Sequence, residues 1–130
     1  MLFNTAGMAA IFNDSVFTDN VSINAFGGAL AFWRPGSFDF NRCLFQGNTA
    51  YQYGGAISAI SAAFISFTDC TFDSNTAGSN PLYYRGDHLM AYGGANVFYC
   101  GSNTFANPDL NFEHAVKYRG GAMELPCPSV

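Results

Sequence analysis

Four cysteines, two histidines, nine acidic residues and one Arg-Gly-Asp tripeptide carry the reactive chemistry of this 130-residue chain. Their spacing says more than their identities. The step from Cys43 to Cys70 equals the step from Cys100 to Cys127. Neither a Cys-x-x-Cys motif nor a nearby histidine pair accompanies them, so the pattern gives little support to a metal site. Two readings stay open for each pair: a disulfide between neighbouring structural units, or two stacked buried thiols. A disulfide would favour an oxidising compartment.

Asp14, Arg42 and Asp69 share one turn position of a repeat and form an acid–base–acid column. Such a column reads as a surface ion ladder of small energy, with a cation or sugar site as the alternative. Polysaccharide cleavage would require several carboxylates and a Lys or Arg converging on one strand face. The acids here are dispersed, mostly at turns. Asp87-His88 has no Ser or Cys nucleophile in a recognisable motif, and His88 and His114 read as ordinary surface or turn residues. The sequence therefore assigns no catalytic residue, no cofactor and no metal.

Candidate binding chemistry centres on Tyr83-Tyr84-Arg85-Gly86-Asp87. Two tyrosines and an arginine among small residues suit a contact loop, and Arg-Gly-Asp on a loop tip is an integrin-binding tripeptide. Asn13-Asp14-Ser15 and Asn20-Val21-Ser22 match the N-glycosylation pattern. Asn13, at a turn, is the candidate acceptor if the source is eukaryotic; Asn20 is claimed by the repeat.

These residues are positioned by an array. Phe12–Asn20, Phe40–Asn48 and Phe67–Asn75 are versions of one block, recurring with a period of about 27 residues. Gly-Gly-Ala recurs at 27–29, 54–56, 93–95 and 120–122. Two motifs sharing one period mark a chain built from similar structural units. Within a unit, as in Ile65-Ser66-Phe67 and Cys70-Thr71-Phe72, large and small residues alternate with period two, the signature of short half-buried strands. Asn13-Asp14, Asn41-Arg42 and Thr68-Asp69 sit between strands, where turn formers belong. No helical stripe is present.

A unit of about 27 residues accommodates three strands of about five residues and three short turns, one triangular coil. Coils stacked about 4.8 Å apart bring equivalent residues into ladders. The expectation is an all-β, right-handed parallel β-helix of four to five coils, forming one segment over residues 1–130. Phe12, Phe40 and Phe67 form one column, Phe17, Phe45 and Phe72 a second, and Asn20, Asn48 and Asn75 an amide ladder. Gly27-Gly28, Gly54-Gly55, Gly93-Gly94 and Gly120-Gly121 let the backbone bend before an inward alanine (Ala29, Ala56, Ala95, Ala122). The third interval is longer by twelve residues, which places an inserted surface loop at 78–90. Phe112-Glu113-His114-Ala115 reads as a degenerate Phe-x-x-Asn. Residues 1–11 resemble the later part of a coil and those after Ala122 the beginning of another, so the chain is expected to continue into further coils or to stack on other protein chains.

Phe17–Asn20 with Gly27–Leu30, and Phe45–Asn48 with Gly54–Ile57, resemble the Phe-x-x-Asn and Gly-Gly-Ala-Ile repeats of chlamydial polymorphic outer membrane proteins, which also occur in surface proteins of algae and other protists. The resemblance implies a parallel β-helix on a secreted or surface protein used for adhesion or as a scaffold, and it supplies no catalytic residues. The pectate-lyase-like polysaccharide enzymes are related only by architecture.

Composition narrows the partners. Nearly half of the residues are apolar, 11% are charged and the net charge is −4. Five scattered Lys/Arg make no basic stripe, which argues against nucleic acid. The longest apolar runs are interrupted by serine and too short to span a membrane. No signal peptide is visible in the opening residues. The reading is a non-enzymatic, extracellular or cell-surface scaffold that contacts other chains, surface glycans or receptors. A carbohydrate-active or carbohydrate-binding β-helix and a small accessory subunit of a larger assembly are the alternatives.

Overall fold

Period-two alternation sets the strands. In Gly36–Asn41, Phe38 and Phe40 are buried while Ser37, Asp39 and Asn41 face out. A computed structural model describes residues 2–23, 27–59, 63–78, 86–106, 116–118 and 121–127. The first circuit comprises β1 (Leu2–Phe3), β2 (Met8–Asn13), β3 (Val16–Thr18) and β4 (Val21–Ser22). The second comprises β5 (Leu30–Phe32), β6 (Gly36–Asn41), β7 (Leu44–Gln46) and β8 (Thr49–Ala50), and the third β9 (Ile57–Ala59), β10 (Phe64–Thr68), β11 (Thr71–Asp73) and β12 (Thr76–Ala77). There follow β13 (Leu89–Ala91), β14 (Asn96–Cys100), β15 (Thr104–Ala106), β16 (Val116–Tyr118) and β17 (Met123–Leu125).

Equivalent strands pair in parallel to make a β-solenoid. Sheet A is β1-β5-β9-β13-β16, sheet B β2-β6-β10-β14-β17, sheet C β3-β7-β11-β15 and sheet D β4-β8-β12. In sheet B the register steps from Phe12 to Phe40, Phe67 and Tyr99, and the third step is longer than the first two. The coil thus has four ladders, not the three that strand length alone suggested. The fourth is only two residues long, too short to leave an alternating pattern.

Corners between sheets are made by single residues in the left-handed region. Asp14, Arg42 and Asp69 (φ 50°, 52° and 53°) turn from B to C, and Asp19, Gly47 and Ser74 (54°, 66° and 56°) from C to D. Short polar side chains and glycine tolerate this conformation best. Arg42 is the exception.

The Gly-Gly-Ala blocks separate into two columns, which corrects their assignment to one. Gly27 and Gly54 stack with Gly86, not with Gly93. Gly28 N–H donates to the carbonyl of Gly54, and Gly55 N–H to that of Gly86. At Gly27, Gly54 and Gly86 the turn (φ 63°, 68° and 50°) folds onto its own coil. An added Cβ would strike the carbonyl oxygen three residues on, of Leu30, Ile57 or Leu89 respectively. Gly94 and Gly121 belong to the turn between sheets A and B, before Ala95 and Ala122. Gly120 lies outside the described residues.

The expected loop at 78–90 shrinks accordingly. Register holds to Gly78, whose backbone abuts Tyr51. It resumes at Gly86, and Gly86–Met90 are buried. Gly54 lies six positions after Asn48 and Gly86 eleven after Asn75, so five residues are added, not twelve.

The core is a stack of rings and small aliphatics. Phe40, Phe45, Phe67 and Phe72 are fully buried, and Leu30, Ile57 and Leu89 fill the inner face of sheet A. Among the described residues no helix is long and apolar enough to cross a membrane.

Candidate functional site

The polar chemistry of the chain converges on the joints between coils. Phe12 and Phe40 stack with centroids 4.9 Å apart, Phe40 and Phe67 at 5.3 Å, and Phe67 and Tyr99 at 5.8 Å. The second column runs through Phe17, Phe45, Phe72 and Phe105 at 4.9, 4.8 and 5.0 Å, with nearly parallel rings. The columns meet edge to face, as Phe45 against Phe67. This arrangement satisfies the ring quadrupoles across columns, while strand spacing fixes the stacking within them. Phe105, and not Phe112, continues the second column; Phe112–Ala115, including His114, lie outside the described residues.

Asparagines bind the coils along sheet D. The Asn48 amide donates to the Phe17 carbonyl (2.8 Å) and to Asn75 Oδ1 (2.9 Å). Its oxygen accepts from Asn20 N–H (3.1 Å) and Asn20 Nδ2 (2.9 Å). Both protons and both lone pairs are used. Asn75 repeats the pattern, donating to the Phe45 carbonyl at 2.9 Å and accepting twice from Asn48.

The ladder ends on Asp87 and His88, which corrects their reading as loop and surface residues. Both are buried. Asn75 Nδ2 meets His88 Nδ1 at 3.0 Å, and the imidazole lies against Phe72 and Phe105. Asp87 Oδ1 accepts the Ala77 N–H at 2.9 Å. In register these residues replace Gly55-Ala56. Gly28 and Gly55 must be glycine because an added Cβ would run into the next coil's carbonyl oxygen, of Gly55 or Asp87 respectively, and then into the backbone of Thr49 or Thr76. In the place of Gly55, Asp87 puts its carboxylate on the Ala77 amide. Counting from Phe105, the next ladder asparagine falls on Pro108, which has no side-chain amide to accept from Asn75 as Asn75 accepts from Asn48. Burial of Gly86 and Asp87 also removes Arg-Gly-Asp as a displayed tip; Tyr83, Tyr84 and Arg85 lie outside the described residues.

The cysteines divide. Cys100 and Cys127 form a disulfide with Cα atoms 5.2 Å apart, joining two adjacent coils. Cys43 and Cys70 are buried free thiols. Each donates to a carbonyl of the preceding coil, Cys43 to Phe12 and Cys70 to Phe40, both at 3.3 Å. Asn103 occupies the next place in the column and donates to the Phe67 carbonyl. The position selects a short donor, which thiol and amide both supply. Burial pushes the Cys70 thiol up to about 11. Tyr99 and Tyr118 share a hydroxyl hydrogen bond of 2.9 Å in the same interior; burial pushes Tyr118 up to about 12 and Tyr99 well above an ordinary phenol.

On the surface, Arg42 pairs with Asp14 at 2.7 Å, and the guanidinium holds that carboxyl below its ordinary range. Asp69 instead accepts the Ser102 N–H, so the column is a pair beside a turn cap. Among the described residues no group of three or more His, Cys, Asp or Glu could hold a metal ion. A shallow groove of about 300 Å³ opens at the start of sheet B, lined by Gly7, Met8, Ala9, Pro35, Gly36, Ser37 and Phe64.

Residues 42–60 match the family model of the Chlamydia polymorphic membrane protein repeat. They span β7, β8 and β9 with Phe45–Asn48 and Gly54–Ile57, so the chain carries a repeat of that type. No match was found among curated proteins or among solved structures.

Proposed function

We propose that this chain is a length of rigid scaffold in a secreted or cell-surface protein, with a right-handed coil of about 27 residues repeated four to five times. Its side faces and strand edges contact other protein chains, further coils, or surface glycans and receptors. The observation that carries this reading is where the polar side chains go: Asn20, Asn48, Asn75, Asp69, Asp87, Arg42 and Gln46 all bond across coils. Right-handedness follows the strong preference of parallel crossovers. The Cys100–Cys127 disulfide supports an oxidising compartment, and the repeat match supports a surface protein. Antibody against the folded chain should label intact producing cells or their medium; labelling that requires permeabilisation would sink the extracellular reading.

A carbohydrate-contacting role is the second reading, favoured by the groove beside the half-exposed Phe64 ring. Retardation of the protein in gels containing acidic polysaccharide, lost in Phe64→Ala, would establish it. Unchanged mobility would remove it.

A further inference from the structure

We propose that Asn13 is an N-glycosylation site whose glycan covers the apolar outer strip of the first circuit, a proposal that rests on the extracellular reading above. Two sequence matches compete, and the geometry separates them. Asn13 is exposed at the end of β2, followed by Asp14 in the left-handed turn. Its Oδ1 accepts from Asn41 Nδ2 at 2.9 Å. The Ser15 hydroxyl bonds the Asn13 carbonyl at 3.0 Å, so the acceptor triplet is one tight unit at the corner. Asn20 differs, because its Nδ2 and its backbone N–H both point at Asn48 Oδ1. A sugar on that nitrogen would sit against the ladder.

The neighbourhood says what the glycan does. Ile11 lies two residues before Asn13 on the same outward face of β2, about 7 Å away by strand rise. It is 66% exposed, and Val16, just past the corner, is 63% exposed. In register, Ile11 is followed by Asp39 and Ser66, and Val16 by Leu44 and Thr71. The circuit that carries the acceptor is the one whose outward positions are most apolar. A disulfide between Cys100 and Cys127 fits the same oxidising compartment in which such transfer occurs.

In the transfer, Asn13 Nδ2 attacks the anomeric carbon of a lipid-diphosphate-linked oligosaccharide held by an oligosaccharyltransferase. The new C–N bond forms as the C–O bond to the diphosphate breaks; the diphosphate leaves on its lipid, and the amide loses one proton.

The test is to express the full chain behind a cleavable signal peptide in a eukaryotic secretory host and weigh the intact protein. A mass shift of one glycan is expected, lost in Asn13→Gln and in Ser15→Ala and kept in Ser22→Ala. Enzymatic removal of the sugar should raise binding of an apolar fluorescent dye, and Ile11→Ser with Val16→Thr should abolish that rise. Secreted protein bare at Asn13, or carrying its sugar at Asn20, overturns the inference and leaves the extracellular reading standing. Dye binding indifferent to deglycosylation overturns the covering role. A chain glycosylated at Asn13 but never released or displayed upholds the site and overturns the extracellular reading.

Discussion

Replacing Asn48 by alanine isolates the asparagine ladder, because this side chain is fully buried and makes four hydrogen bonds. Not all four losses count equally. The Asn20 groups lie on an exposed residue and recover water. Asn75 Oδ1 keeps the Asn48 backbone N–H at 2.9 Å. The Phe17 carbonyl, set between coils, loses its amide donor, and the vacated volume adds a cavity. An unsatisfied buried acceptor and a small cavity together predict a loss of about 3 kcal/mol. Asn20→Ala removes only one donor to Asn48, whose oxygen keeps the Asn20 N–H, and should cost at most about 1 kcal/mol. Asn48→Asp should be at least as damaging as alanine at neutral pH, because an acceptor then faces the Phe17 carbonyl and Asn75 Oδ1. Urea midpoints at unchanged slope report the differences. If Asn48→Ala costs no more than Asn20→Ala, or the aspartate variant is tolerated, the ladder does not hold the coils together.

Phe45→Ala empties a site between rings at 4.9 and 4.8 Å and should cost about 3–5 kcal/mol in the same assay, with Phe72→Ala alike; an unchanged melting temperature would refute the aromatic columns. Asp87→Ala leaves the Ala77 amide without its acceptor, so hydrogen exchange at Ala77 should speed up well before exchange at Phe45; equal protection in both proteins would remove Asp87 as a cap. Reduction of Cys100–Cys127, which closes 27 residues, should cost about 3–4 kcal/mol on the chain-entropy estimate, while Cys43→Ser should shift the midpoint by less than about 1 kcal/mol because serine keeps a donor for Phe12. Stability should also fall at alkaline pH. Cys70 and Tyr118 hold their protons to about 11 and 12 in the folded chain, against ordinary values of 9.0 and 10.0. Their contribution is therefore complete below about pH 9 and is lost as pH rises through about 11 and 12. A urea midpoint flat from about pH 8 to about pH 12 would contradict that burial.

How much of this was legible depends on what each motif physically requires. Phe40 and Phe45 recur because a ring in a column wants a ring on either side, so the aromatic period can be read directly. Asn48 recurs because its amide completes its neighbours' hydrogen bonds. Gly-Gly-Ala is less informative, since two glycines followed by alanine suit any tight turn before an inward strand. The chain uses that triplet at the D-to-A turn in Gly27 and Gly54, and at the A-to-B turn in Gly93. What survives at the true third position is Gly86-x-x-Leu89, the left-handed glycine and the inward leucine. Spacing carried the error onward: twelve added residues became five, and Asp87 and His88 passed from a loop to the interior. The signal that could have found them is Pro108, at the rung after Asn75 when counted from Phe105.

Asp87 and His88 also explain why the solenoid changes along its length. Terminal units of a repeat protein usually depart from consensus because they must close what the next unit would have covered. Here the departure lies inside the chain and concerns one ladder of four. Sheets A and B continue to five strands and sheet C to four, while sheet D has three among the described residues. Among the described residues, the Ala77 amide and the Asn75 side chain are met by Asp87 and His88. A carboxylate and an imidazole serve those two groups better than glycine and alanine could, and an amide already bonded to Asp87 is less able to recruit another chain. Restoring the consensus with Asp87→Gly and His88→Ala should therefore do two things at once. It should lower stability by about 2–4 kcal/mol, from one unpaired amide and one lost buried partner. It should also promote self-association through the reopened edge of β12, visible as a larger species by light scattering. A double variant that stays monomeric and equally stable would show that the end of sheet D is set by the inserted residues before Gly86 and not by the pair that follows it.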